Sequence, residues 1–61
     1  MCESNIYNTN GNLLMEDVMV VDIDGEKIAM TDILNEKKIV YGKFIRLELE
    51  EHKLIIEEKE L

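Results

Sequence analysis

The 61-residue sequence has few of the residues that cross-link small domains through disulfides or structural metal sites. It contains one cysteine, one histidine and no proline. A single cysteine cannot form an intrachain disulfide, and one cysteine with one histidine cannot close a structural zinc site within the monomer. A domain of this size buries only about 60% of the surface of its unfolded chain, so its stability is marginal without a staple. We therefore expect a homodimer.

Positive charge is also scarce. Seven Lys and Arg residues stand against 14 Asp and Glu residues, which gives a formal net charge of −7. Binding to a phosphate backbone needs clustered cations, whereas the basic residues here are scattered among acids. A nucleic-acid partner is therefore not expected.

Long apolar runs are missing, although 46% of the residues are hydrophobic. That content is too high for a disordered chain, so we expect a single globular domain over residues 1–61. No run approaches the roughly 18 residues of a membrane span, and the first residues lack the basic and apolar regions of a signal peptide. We expect a cytoplasmic protein with no membrane association.

Motifs for catalysis are missing as well. The sequence has no glycine-rich phosphate loop, no nucleophile elbow and no Cys-His-Asp order. Its acids fall at alternating strand positions or at turns, which is typical of a solvated face. The sequence therefore predicts that the protein is not an enzyme.

What the sequence does contain is hydrophobicity with a period close to two, which predicts an all-β fold. Turn signals every eight to twelve residues favour a small SH3-like β-barrel of about six short strands, with a small open sandwich as the alternative. Asn10-Gly11 is one turn signal, and LLMED breaks the alternation in the manner of an irregular corner. Gly42 lies inside a strand pattern, which usually marks a bulge or a sharp bend.

The first predicted hairpin is VMVVDIDGEKIAMT, with Asp24-Gly25 as a type I′ turn. That position pairs Val21 with Ile28, Met19 with Met30 and Asp22 with Lys27. One face of the hairpin is then apolar.

The second predicted hairpin is FIRLELEEHKLIIEE, with its turn at Glu51-His52. Its register pairs Leu49 with Leu54, Leu47 with Ile56 and Arg46 with Glu57. His52 is then an exposed turn residue, expected to lie far from the N-terminus. Phe44 and Ile55 fall on the outer face, near Val18 and Val20 of the first hairpin, where a dimer interface or a second sheet wall would use them.

Cys2 is the one candidate for metal chemistry. Its thiolate and its own amide nitrogen form a five-membered chelate, which the Met1 amine extends. A deprotonated amide favours planar Ni(II) or Cu(II) over Zn(II). Two chains at a two-fold axis supply two sulfurs and two nitrogens, a complete plane for one metal per dimer. Composition alone leaves an incidental free thiol as the alternative.

The sequence resembles the CooT family of small nickel-binding proteins associated with the maturation of carbon monoxide dehydrogenase. The resemblance spans nearly the whole chain, and its most specific part is the Met-Cys start followed by LLMEDV. It continues through VDIDGEKIAMTDILNEKK and EEHKLII. It implies an SH3-like barrel homodimer that binds Ni(II) at Cys2 and serves carbon monoxide dehydrogenase as a possible client. The alternative function is a small RNA-binding or protein-interaction barrel.

Overall fold

The structure, a computed structural model, describes residues 3–59 and forms a closed all-β barrel. The strands are β1 (Ser4–Asn8), β2 (Leu13–Asp24), β3 (Lys27–Asp32), β4 (Lys37–Glu48) and β5 (Lys53–Glu58). Neighbours along the chain pair in antiparallel fashion, and a parallel pair between β1 and β5 closes the ring. The predicted all-β barrel is confirmed, and the open sandwich is excluded because the ring closes. The label SH3-like stays a prediction.

The barrel has five strands where about six short ones were expected, because two of the five are long and change partners midway. β2 and β4 each have 12 residues. The first part of β2 pairs with β1 and its second part with β3, whereas β4 pairs first with β3 and then with β5. Bends inside β2 and β4 therefore redirect the chain from one partner strand to the next, where separate loops were expected.

The bend in β2 coincides with the irregular LLMED segment. Asp17 has a positive φ of 56°, and register shifts flank Val18 on both of its pairings. Bulges of this kind bend a strand and change which way its side chains face. Val18 is consequently buried, although the alternating pattern had placed it on the outer face.

The bend in β4 lies at Gly42, as the sequence predicted. Gly42 follows Tyr41, the last residue of β4 paired with β3, and is itself paired with Glu58 of β5. A Cβ atom there would fall inside van der Waals contact of the Glu57 carbonyl oxygen. Glycine is required at this corner because the backbone of β5 passes so close to it.

The first hairpin turns one residue later than predicted. Asp24 pairs with Lys27, so the turn residues are Gly25 and Glu26. Gly25 has a φ of 61° and Glu26 does not have a positive φ, which is the pattern of a type II′ turn with glycine first rather than a type I′ turn.

The register of this hairpin therefore differs by two residues from the prediction. Ile23 pairs with Ile28, and Val21 with Met30. A two-residue shift leaves each side chain on its predicted face, so the apolar face is retained.

The second hairpin is also shifted by two residues, because its loop has four residues, 49–52, rather than two. Leu47 pairs with Leu54, and a bulge at Ile45 brings Phe44 opposite Ile56. The bulge turns Phe44 to the inner face, so its predicted outward position is wrong. Arg46 makes its ion pair with Glu48, with Nε to Oε1 at 3.3 Å, and not with Glu57.

The buried core is small and comes from four of the strands. It consists of Ile6, Val18, Ile28, Met30, Leu54 and Ile56. No helix in the part of the chain that the structure describes is long and apolar enough to cross a membrane.

Candidate metal centre

The two predicted metal ligands, Met1 and Cys2, lie outside the described residues. The chain is described from Glu3 onward, and β1 begins at Ser4, two residues after Cys2. The geometry bearing on the site is therefore that of the start of β1 and of what surrounds it.

The start of β1 is held on both sides. The Asn5 amide donates to the His52 carbonyl oxygen at 2.8 Å, on the side of β5. The Asn5 side-chain oxygen accepts a hydrogen bond from the Asp17 amide at 3.1 Å, on the side of β2. Together these bonds tie Asn5, three residues after Cys2, to the loop that precedes β5 and to β2.

The position of His52 corrects an expectation. Its backbone lies directly beside β1, because the parallel pair of β1 and β5 begins with Asn5 opposite Lys53. The expectation that a turn at His52 lies far from the N-terminal part of the chain is therefore wrong, because this turn contacts β1. Its side chain is exposed, and its φ of 55° is in the left-handed region. Nothing in a single sequence marks this parallel pairing, because its partners are almost 50 residues apart.

An uncharged groove of about 290 Å³ opens beside the start of β1. We call this groove the mouth; three of its lining residues, Ile6, Val18 and Leu54, belong to the buried core. Its lining comprises Ser4, Ile6, Val18, Met19, Val21, Ile23, Phe44, Leu47 and Leu54. Sequence reasoning missed this set, since the bulge at Ile45 that turns Phe44 inward has no signature in the alternating pattern.

A second, larger cleft has a mixed charge. It is lined by Glu16, Asp17, Asp32, Glu36, Lys37 and Lys38 together with apolar residues. The Asp32 Oδ1 atom is already engaged, because it accepts the Leu34 and Glu36 amides at 3.0 and 2.9 Å. Across residues 3–59, no group of three or more His, Asp or Glu side chains is arranged to hold a metal ion.

Comparisons with known proteins identify relatives over nearly the whole chain. A protein of Methanothermobacter thermautotrophicus is 46% identical over 57 residues, which is 93% of this chain and 89% of the relative. A protein of Methanocaldococcus jannaschii is 42% identical over 57 residues, 93% of this chain and 98% of the relative. Both are uncharacterised proteins, so they show relatedness without an activity.

A solved structure has the same fold. It is a crystal structure from Carboxydothermus hydrogenoformans of a protein provisionally identified as CooT, with a TM-score of 0.86 and 27% sequence identity. The match covers 97% of this chain and 100% of that one. The sequence model described as CO dehydrogenase accessory protein CooT matches residues 1–57, a range that includes Met1 and Cys2. This chain belongs to the CooT family.

Proposed function

We propose that this protein is a nickel-binding accessory protein that carries Ni(II) as cargo for the maturation of carbon monoxide dehydrogenase. The observation that carries the proposal is the CooT family match over residues 1–57, which includes the candidate ligands and whose description names the client enzyme. The role is non-enzymatic and cytoplasmic: the protein binds and presents a metal ion.

The donor chemistry of Met1 and Cys2 supports Ni(II). Cys2 supplies a thiolate and an amide nitrogen in a five-membered ring, and the Met1 amine is a third donor, which a single chain uses when no second chain fills the plane. A deprotonated amide nitrogen is a strong-field donor, and a planar arrangement of such nitrogens with thiolates suits Ni(II). The metal displaces protons from these donors when it binds, so low pH should release it.

A homodimer completes this site. Two bidentate chains related by a two-fold axis supply the two sulfurs and two nitrogens of a four-coordinate plane, with one Ni(II) per dimer. Support for self-association comes from apolar side chains left near half exposure in so small a domain, among them Met19, Ile23, Phe44 and Leu47. A surface of this kind is typical of interaction sites.

The test is a Ni(II) titration of the reduced protein, followed by absorption spectroscopy and calorimetry. We expect one Ni(II) per dimer, a sulfur-to-nickel charge-transfer band and a diamagnetic complex. Cys2→Ser should abolish the band and leave the circular dichroism spectrum unchanged, since the buried core found in residues 3–59 lies elsewhere.

A matched control separates the thiol from the nearby histidine. His52→Asn is the suitable variant, because asparagine tolerates the left-handed φ of this position better than alanine does. We expect His52→Asn to bind nickel with the stoichiometry of the parent protein, because the two chelates already fill the plane. Nickel binding that survives Cys2→Ser, or that needs His52, would show that the ligands are wrong. A salt-dependent shift of RNA, with no nickel bound, would favour the interaction-module alternative instead.

A further inference from the structure

The turn between β1 and β2 contains the pair Asn10-Gly11, which the proposed nickel site does not use. Both residues are exposed. The Cγ carbon of an asparagine side chain can be attacked by the backbone nitrogen of the next residue, which closes a five-membered ring. Glycine hinders this attack least, because it has no Cβ atom. Within residues 3–59, a Cβ atom built on Gly11 would meet nothing within 4 Å beyond its chain neighbours, so the nitrogen is sterically accessible.

The other asparagines of the chain lack this combination. Each is followed by a residue with a Cβ atom, which hinders ring closure. The pairs are Asn5-Ile6, Asn8-Thr9, Asn12-Leu13 and Asn35-Glu36. Asn8 is also buried, and both groups of its side-chain amide are engaged in hydrogen bonds. These four asparagines therefore serve as internal controls for the reactivity of Asn10.

We infer that Asn10 is a site of spontaneous deamidation and isoaspartate formation. The Gly11 nitrogen loses its proton and attacks the Asn10 Cγ atom. The N–Cγ bond forms, the Cγ–Nδ2 bond breaks, and the amide group leaves with that proton as ammonia. Water then opens the succinimide ring: attack at the side-chain carbonyl gives aspartate, and attack at the main-chain carbonyl gives isoaspartate. One water is consumed and one ammonia is released, and no oxidant or reductant takes part.

The turn restrains the start of this reaction. The Gly11 amide donates to the Asn8 carbonyl oxygen at 3.0 Å, and the Asn10 amide donates to the Asn8 side chain. The Gly11 N–H must leave its acceptor before the nitrogen can lose its proton and attack. Ring closure therefore proceeds from conformations in which the turn has opened locally. The fold slows the reaction at Asn10, and unfolding removes this restraint.

Isoaspartate at position 10 would reach the closure of the barrel. The Asn8 Oδ1 atom accepts the amides of Asn10 and Asn12, which lie on either side of the reacting bond. The isoaspartyl backbone is one carbon longer between these two amides, so the geometry in which one oxygen accepts both is lost. The same Asn8 side chain donates to Glu58, at the parallel pair of β1 and β5 that closes the ring. We expect the isoaspartyl form to be less stable than the parent protein.

The test incubates the metal-free parent protein in mildly alkaline buffer, both folded and in urea. Peptide mass spectrometry locates each conversion of amide to acid, and an isoaspartyl methyltransferase with a labelled methyl donor counts isoaspartate. We expect conversion in the folded protein to be at least about tenfold faster at Asn10 than at any other asparagine. Conversion in urea should be faster still. Equal rates at Asn10 and the other asparagines would overturn the inference, and equal rates at Asn10 with and without urea would overturn the restraint by the turn.

A control variant and a stability measurement complete the test. Asn10→Gln keeps a neutral amide but would need a six-membered ring, so we expect no isoaspartate at this position. Isoaspartate formed as fast in Asn10→Gln would place the reaction elsewhere and overturn the inference. The isoaspartyl form, separated by anion exchange, should unfold at a lower urea concentration than the parent protein. An unchanged midpoint would overturn the link between this turn and barrel closure.

Discussion

Asn8 shows how much of this barrel depends on single side chains. Its Oδ1 atom accepts the amides of Asn10 and Asn12 at 3.0 and 2.9 Å, which organises the turn before β2. Its Nδ2 atom donates to the Glu58 Oε1 atom at 2.9 Å, which joins the ends of β1 and β5. Asn8 is the buried polar residue found among residues 3–59, and its acceptor and donor groups are both used. An amide suits this position because it has both groups.

We predict that Asn8→Asp destabilises the fold by about 1–3 kcal/mol, because aspartate keeps the acceptor but places a second carboxylate against Glu58. Adding Glu58→Gln should recover part of that loss, since the glutamine amide can donate to the new carboxylate. Urea unfolding of the two single variants and the double variant gives the coupling free energy. Strictly additive effects would mean that the contact between residues 8 and 58 contributes nothing.

At the scale of elements, two strands of 12 residues stand where the turn signals suggest shorter ones. β2 bends at its bulges around Val18, and β4 bends at Gly42, where its partner changes from β3 to β5. The two bends have different physical causes. Asp17 has a left-handed backbone, whereas Gly42 is limited by the backbone of β5. A barrel of five strands closes because two of them each serve two neighbours.

Two glycine substitutions separate backbone strain from collision. Gly25→Ala meets open space but has an unfavourable positive φ, so we expect a loss of about 1 kcal/mol. Gly42→Ala would push its Cβ atom against the Glu57 carbonyl group, and we expect a loss of about 3 kcal/mol or a failure to fold. Thermal and urea unfolding give both values. A Gly42→Ala variant as stable as Gly25→Ala would mean that β5 can move away from the corner without cost.

At the scale of the whole molecule, the barrel is closed, but apolar side chains beside its buried core stay about half exposed. The mouth leaves half-exposed apolar residues beside the start of β1, and the chain as a whole carries a net charge of −7. The mouth, which has no charged lining residue, therefore has the chemistry of an interface. The proposed metal and the proposed dimer are consequently linked, because one planar ion would take donors from both chains.

The coupling between Ni(II) binding and dimerisation can be measured through thermodynamic linkage. If Ni(II) binds across two chains, it must strengthen the dimer by the factor by which dimerisation strengthens nickel binding. We predict that Ni(II) lowers the dimer dissociation constant by at least about tenfold and that the effect is lost in Cys2→Ser. Sedimentation velocity with and without metal measures it. An equal dissociation constant in both conditions would place the metal within a single chain.

The sequence by itself determined the fold class, the turn glycines and the family. These features are local, because each depends only on residues that are adjacent in the sequence. They are the two-residue period, the turns at Gly11 and Gly25 and the corner at Gly42. Cys2 was identified in the same way, because its chelate needs only its own backbone and that of Met1. It lies outside the described residues, so its role stays a prediction.

Only the tertiary structure decided which surfaces lie together. A bulge reverses the facing of the side chains on one side of it relative to those on the other, so the extra residue at Ile45 puts Phe44 among the residues that line the mouth. The loop lengths of both hairpins shifted their registers by two residues, and such a shift alone keeps each side chain on its predicted face; the bulges reversed Val18 and Phe44. The neighbourhood of His52 and the start of β1 depends on a parallel pairing between distant segments. Such pairings are set by closure of the barrel, and a single sequence has no local signal for them.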